Sequence, residues 1–140
     1  MNDISVMGNT ATTEIENRKI EEHLAELNTP QRAAATFGIA RASAQPVPPL
    51  LIIAGAGSGK TKTLSHRVAH LVLNGADPRR ILLMTFARRM AAEMTRRVEH
   101  ICARTLKGRM AISADAIEWS GTFHAIGAKL LRLHAESIGL

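Results

Sequence analysis

Residues 50–61 read Leu50-Leu51-Ile52-Ile53-Ala54-Gly55-Ala56-Gly57-Ser58-Gly59-Lys60-Thr61. Four consecutive apolar residues run into a stretch in which glycine alternates with small residues. So short an apolar run with such a sequel predicts a buried strand over Leu50–Ile53 rather than a helix. Gly55 to Gly59 cannot sustain a regular element. Helical spacing resumes from Thr61 to Leu73, with Leu64, Val68, Leu71 and Val72 apolar. Strand, glycine-rich turn and helix together make a phosphate cradle. Gly55, Gly57 and Gly59 let the backbone wrap tightly and aim several N–H groups at one cluster of phosphate oxygens. The helix that follows adds its N-terminal amides and dipole. Lys60 reaches terminal phosphates as a mobile point charge, and Thr61 offers a hydroxyl to Mg²⁺. Residues 54–61 end in the Gly-Lys-Thr of a phosphate loop at the correct spacing, with Ala54 standing where the pattern has its first Gly. A flexible glycine linker would have neither the strand before nor the helix after. The stretch predicts that Ala54, Gly55, Ala56, Gly57, Ser58, Gly59, Lys60 and Thr61 hold a nucleoside triphosphate, with Lys60 and Thr61 in the catalytic roles and Thr61 on the metal. It leaves the driven reaction open, because many functions share the loop.

Upstream, residues 1–13 are polar and weakly patterned and read as a frayed or disordered N-terminus. Glu14 to Leu27 has helical spacing through Ile15, Ile20, Leu24 and Leu27, with Asn28 placed to cap its end. Thr29-Pro30-Gln31 has the look of a new helix start, Pro in its first turn, and residues 31–40 continue it. Pro46, Pro48 and Pro49 mark a connector. Downstream, Asn74-Gly75 closes the loop helix and Asp77-Pro78 turns the chain. Ile81–Met84 reads as a second buried strand. Met90 to Cys102 is helical, with Met90, Met94, Val98 and Ile101 on one stripe. Gly108 to Glu118 is a loop or a short irregular strand, Trp119–Thr122 a third strand, and Phe123 to Ile138 a helix with Ile126, Leu130, Leu131 and Leu133 apolar. Strands alternating with helices predict an α/β domain built on a parallel sheet, with its active site at the C-terminal ends of the strands.

With 140 residues the chain holds one modest domain, and one cysteine excludes an internal disulfide framework. No apolar run approaches the length of a membrane span, and the first residues lack the features of a secretory signal; a cytoplasmic location is expected. The net charge of +6 is unevenly spread, −1 over residues 1–60 and +7 over residues 61–140. Arg79-Arg80, Arg88-Arg89 and Arg96-Arg97, with Arg104, Lys107 and Arg109, carry most of it. Such asymmetry suits a polyanionic partner, and equally a solvated basic face. His66 and His70 stand at the i,i+4 spacing of a zinc-protease helix. That motif needs a carboxylate directly after the first His, where this chain has Arg67, so the pair reads as two surface histidines on one helix face.

The residues from about Leu27 to Leu140 resemble the N-terminal ATPase domain of superfamily 1 DNA helicases of the UvrD/Rep/PcrA type. Four motifs in order carry the resemblance. Leu27-Asn28-Thr29-Pro30-Gln31 resembles that family's Q motif, which implies that Gln31 lies beside adenine; an amide can accept from the exocyclic amine and donate to a ring nitrogen. The phosphate loop is the second. Ile81-Leu82-Leu83-Met84-Thr85-Phe86-Ala87 with Ala91-Ala92-Glu93-Met94 and Arg97-Val98 resembles motif Ia, which implies single-stranded DNA contacts by Thr85 and Phe86. Where the family commonly continues Thr-Asn-Lys-Ala, this chain has Ala87-Arg88-Arg89-Met90: the positive charge of Arg88 and Arg89 is kept and the Asn is not. Phe86 either stacks a base or fills the core. Gly121-Thr122-Phe123-His124, followed by Leu130-Leu131-Arg132, resembles motif Ib and implies further strand contacts by Thr122, Phe123 and His124.

The resemblance implies a three-layer, RecA-like P-loop fold, here incomplete, over residues 14–140. It also implies ATP and Mg²⁺ as cofactors, single-stranded DNA and its junctions with duplex as partners, and a parent enzyme that unwinds DNA 3′→5′ in repair or replication. Hydrolysis in that family needs an Asp-Glu pair after a later strand, and no such pair occurs here; Asp115 and Glu118 precede Gly121-Thr122. The arginines of a second ATPase domain and the aromatic that stacks on adenine are missing as well. The 140 residues therefore read as a piece of a longer helicase, with little or no ATPase of their own. If the strand carrying the Asp-Glu pair normally lies beside the phosphate-loop strand, its absence leaves a sheet edge open to self-association. The helicase part of a RecB/AddA-like helicase–nuclease and a stand-alone nucleotide- or DNA-binding module are the alternatives.

Overall fold

A computed structural model of the chain describes residues 18–39, 47–107 and 116–139. The frayed N-terminus, the start of the first expected helix and most of the 108–118 segment lie outside the described residues.

Residues 18–22 are helical and tighten into a 3₁₀ turn, His23–Glu26. Helix α1, Thr29–Thr36, follows at once. Its start is a capping box: Asn28 Oδ1 accepts from Gln31 N at 3.0 Å, and Gln31 Oε1 accepts from Asn28 N at 3.1 Å. Asn28 therefore caps the helix that follows it, not the one before, because its extended backbone points the side chain forward onto the amides of Thr29–Gln31. The helix ends at Thr36, short of the expected residue 40. Helix α2, Lys60–Leu73, is closed by Asn74 and by Gly75 at φ +95°. Asp77 caps a 3₁₀ turn, Pro78–Arg80, that leads into strand β1, Leu82–Thr85. Helix α3, Arg88–Thr105, crosses back to strand β2, Trp119–Thr122, and helix α4, Phe123–Leu133, is followed by a 3₁₀ turn, Glu136–Ile138.

β1 and β2 pair in parallel, with Leu82, Leu83, Met84 and Thr85 opposite Trp119, Ser120, Gly121 and Thr122. Successive residues face opposite sides of a sheet. Leu83 is buried toward α3, and Thr95 of α3 bonds Ser120 through their hydroxyls at 3.1 Å. On the other side α4 lies across β2: Lys129 Nζ sits 4.2 Å from the centre of the Trp119 ring, and Ile126 packs on Gly121. α3 thus covers one face of the pair, and α4 covers β2 on the other. The main core joins α2, α3 and β1 through Val68, Ala69, Leu83, Met94, Val98, Ile101 and Cys102, with Ile117 from the approach to β2. Leu24, Leu27 and Ala35 form a smaller cluster beneath α1. The domain is mixed α/β.

Four expectations need correction. Leu50–Ile53 is not a buried strand: the segment has no strand pairing, and Leu51 and Ile53 are 80% and 87% exposed. A strand exists only through a hydrogen-bonded neighbour, and among the described residues the sheet has two members, β1 and β2. β1 is buried on one face only, since Leu82 and Met84 are exposed. Met90 is exposed and Ala91 takes its place on the buried stripe of α3. In α4 only Ile126 is buried, while Leu130, Leu131 and Leu133 are exposed. No described helix is long and apolar enough to cross a membrane.

Candidate functional site

The glycine-rich loop of residues 54–61 takes its shape from two of its glycines. Gly57 and Gly59 stand at φ +74° and +83°, a region that favours glycine. Gly55 has no such angle, and a Cβ there would meet nothing within 4 Å, so its glycine is not required by the backbone. Ser58 Oγ donates to Gly55 O at 2.6 Å and ties the turn across. Gly59 then caps α2, whose first residues are Lys60 and Thr61. Lys60 folds back over the loop and donates to Ala54 O at 2.9 Å and Gly55 O at 2.5 Å. A cation held by backbone carbonyls, beside the N-terminal amides of a helix, is a donor set suited to an oligophosphate. Thr61, adjacent on the first turn, supplies a hydroxyl of the kind that completes a phosphate-bound Mg²⁺.

Gln31 joins this loop directly. Its Oε1 is held by the capping box, and its Nε2 donates to Ser58 O at 3.0 Å. The two partners lie 27 residues apart, and the packing is close: a Cβ on Gly59 would come within 2.7 Å of that same Nε2. The far end of α1 is anchored as well. Arg67 of α2 donates to Ala34 O at 3.0 Å and Phe37 O at 2.8 Å, satisfying carbonyls that the helix end leaves unpaired. Sequence reading missed Arg67, because one arginine in a helix carries no signal of the carbonyls it caps.

The second group of expected site residues gathers at the C-terminal ends of β1 and β2. Register sets Thr85 beside Thr122. Both hydroxyls serve the local backbone: Thr85 Oγ1 donates to Ala87 O at 2.9 Å, and Thr122 Oγ1 accepts from Ala125 N at 3.2 Å as the cap of α4. Phe86 is 90% exposed, so it does not fill the core. Its ring lies 5.2 Å from that of Phe123, inclined by 43°. Arg88 and Arg89 open α3 and His124 lies in the first turn of α4, all exposed. A groove of about 650 Å³ beside them is lined by Arg88, Thr95, Arg96, Ser120 and Thr122. Two paired aromatic faces with flanking arginines at the tips of parallel strands can stack bases and hold phosphates.

His66 and His70 are not surface histidines. Both are buried, and so is His23, which packs between them from the 3₁₀ turn. His23 Nδ1 lies 3.0 Å from His66 Nδ1, and His23 Nε2 lies 3.3 Å from His70 Nδ1. The i,i+4 spacing was visible in the sequence, but the third ring, 43 residues earlier, was not. Burial lowers all three pKa values, that of His23 to about 4, where the neighbouring imidazoles add to the effect. Glu26, at the edge of this cluster, is held below the usual carboxylate range by Arg104, which donates to it at 2.5 Å. Among the described residues no group of three His, Cys, Asp or Glu has the geometry to hold a metal ion.

Comparison with known proteins follows the same line. The family described as UvrD/REP helicase N-terminal domain matches residues 10–140. The chain is 44% identical over 93 residues to the ATP-dependent DNA helicase PcrA of Leuconostoc citreum, an alignment covering 66% of this chain and 11% of that protein. It is 41% and 40% identical over 93 residues to the proteins of the same name in Staphylococcus epidermidis and Staphylococcus aureus, covering 66% of this chain and 12% of each. The chain thus spans about an eighth or less of the length of these relatives. Its phosphate loop, its Gln31 contact and its strand-tip cluster stand in the domain that this match covers, and the chain belongs to the UvrD/REP helicase N-terminal domain family.

Proposed function

We propose that this chain binds ATP with Mg²⁺ through residues 54–61, reads adenine with Gln31, and holds single-stranded DNA at the tips of β1 and β2. In this reading it belongs to the three-layer RecA-like motor of an ATP-dependent 3′→5′ DNA helicase. One observation carries the proposal: Gln31 donates to Ser58 O within the phosphate loop. That contact brings a base-reading amide and a phosphate cradle together from segments that sequence separates.

Lys60 moves from the carbonyls of Ala54 and Gly55 onto the phosphates when nucleotide enters. Thr61 contributes one Mg²⁺ ligand beside it. Phe86 and Phe123 take bases, with Arg88, Arg89 and His124 on the backbone and the Thr85 and Thr122 pair between them. Titration of a fluorescent ATP analogue tests the nucleotide site. Lys60→Ala abolishes binding, and Gln31→Ala reduces the preference for ATP over GTP while leaving triphosphate binding measurable. Equal affinities in the native chain and Lys60→Ala overturn the reading. Turnover by the 140 residues alone stays at background, with or without DNA.

A further inference from the structure

We propose that His23, His66 and His70 form a proton-operated latch, which holds the segment leading into Gln31 against α2 and releases it when the cluster takes up a second proton. The inference rests on the nucleotide-binding reading for its consequence and on the histidine geometry for its existence.

The number of hydrogens the rings can place limits the cluster. Each of the two N···N contacts, 3.0 Å to His66 and 3.3 Å to His70, needs one N–H and one bare nitrogen. With three neutral rings both contacts can be satisfied. One added proton can also be placed without breaking either. If His23 is the imidazolium it donates in both directions; if His66 or His70 is, His23 accepts from that ring and donates to the other. A second proton has no such arrangement. Protonating two of the three rings sets two N–H groups against each other in at least one contact: an imidazolium at His23 meets the N–H of the other charged ring, and a neutral His23 keeps one N–H that meets that of His66 or His70. The cluster therefore tolerates one proton and breaks at the second.

The surroundings do not offset the charge. Facing the cluster from the 18–26 segment are Glu21, Glu22 and Glu26. α2 contributes Lys62 and Arg67, α3 and its end contribute Arg104 and Lys107, with Glu93, Arg96, Arg97 and His100 along the cleft that reaches His66, and Arg32 reaches over from α1. Glu26 is the acid nearest to His66, at 4.0 Å, and it is already engaged by Arg104. Protons have a route: a cleft of about 390 Å³ reaches His66 beside Glu26 and Lys62, and a smaller one of about 90 Å³ reaches His23.

The latch bears on the site through a short lever. His23–Glu26 is pinned by the rings, by Lys62 Nζ on Glu26 O at 2.7 Å and by Arg32 on Leu24 O at 3.1 Å. Leu27 and the Asn28 capping box follow directly, and Gln31 ends the lever on Ser58. Freeing the turn removes the support behind Gln31. His23 is thus a positioning residue, acting on the nucleotide through Gln31.

The test uses the whole chain and two readouts. In an NMR titration from pH 7.5 to 4.5, the three imidazole signals and the side-chain amide of Gln31 are followed, with far-UV circular dichroism to register unfolding. The rings are expected to change together below pH 6, more steeply than one proton allows, with the Gln31 amide shifting in step while helicity persists. Affinity for a fluorescent ATP analogue is expected to fall by about tenfold more in the native chain than in His23→Leu between pH 7 and pH 5, since a variant without the central ring lacks the linked protons. Rings that titrate independently, or a Gln31 amide that does not follow them, overturn the latch. Parallel loss of affinity in both chains overturns it too. Linked titration of rings and Gln31 without analogue binding at pH 7.5 upholds the latch and sinks the nucleotide reading instead.

Discussion

Replacing the three loop glycines one at a time with alanine separates backbone need from mere smallness. At Gly55 the backbone angle is ordinary and an added methyl would meet nothing within 4 Å. Gly55→Ala is therefore neutral or stabilising by up to about 1 kcal/mol, through loss of freedom in the unfolded chain. Gly57 stands at φ +74° in open space, so Gly57→Ala carries only the left-handed penalty, about 1–2 kcal/mol. Gly59 stands at φ +83° and adds a clash, its methyl falling 2.7 Å from Gln31 Nε2. The amide must leave Ser58 O, which forfeits a hydrogen bond of about 0.5–1.5 kcal/mol, and Gly59→Ala costs about 1.5–3.5 kcal/mol in all. Urea unfolding at pH 7.5, followed by circular dichroism with a common slope, measures each difference. A double-mutant cycle isolates the last term: once Gln31 is Ala, the excess of Gly59→Ala over Gly57→Ala disappears. Gly55→Ala as costly as Gly59→Ala, or an excess that survives without Gln31, would refute this loop geometry.

Two more outcomes follow from buried groups. His23 has an ordinary value of 6.5 and a folded value of about 4, so the unfolded chain binds more protons between them. Its stabilisation is complete above pH 6.5 and lost as pH falls toward 4, by about 3 kcal/mol for this ring alone; urea midpoints that do not fall from pH 7 to pH 5 would contradict this. Cys102 is fully buried, and burial pushes its thiol up to about 11. A disulfide reagent should leave it unmodified in the native chain and react at once in denaturant, whereas rapid native labelling would show that the core around Val98 and Met94 is open.

Local features are legible in the sequence where the signal lies within a few residues. The Gly-Lys-Thr ending located the start of α2 and Asn74-Gly75 its close, because caps and turns are set by near neighbours. Asn28 shows the limit of that rule. One residue can cap backward or forward, and only the reciprocal bond with Gln31 decides between them. The strand-tip residues were singled out through the family resemblance, and the packing of Phe86 on Phe123 required the register of β1 and β2.

By itself, then, the sequence determined a glycine-rich loop on a helix start, an α/β alternation and a basic second half. Tertiary structure decided which of those features have partners. Leu50–Ile53 has the composition of a strand and no strand beside it, and a strand is defined by bonds its own residues cannot make. His66 and His70 have the spacing of a surface pair and are buried because His23 closes over them from 43 and 47 residues away. Burial and pairing are properties of two segments at once, and periodicity along one of them records neither the other segment nor the angle at which it arrives.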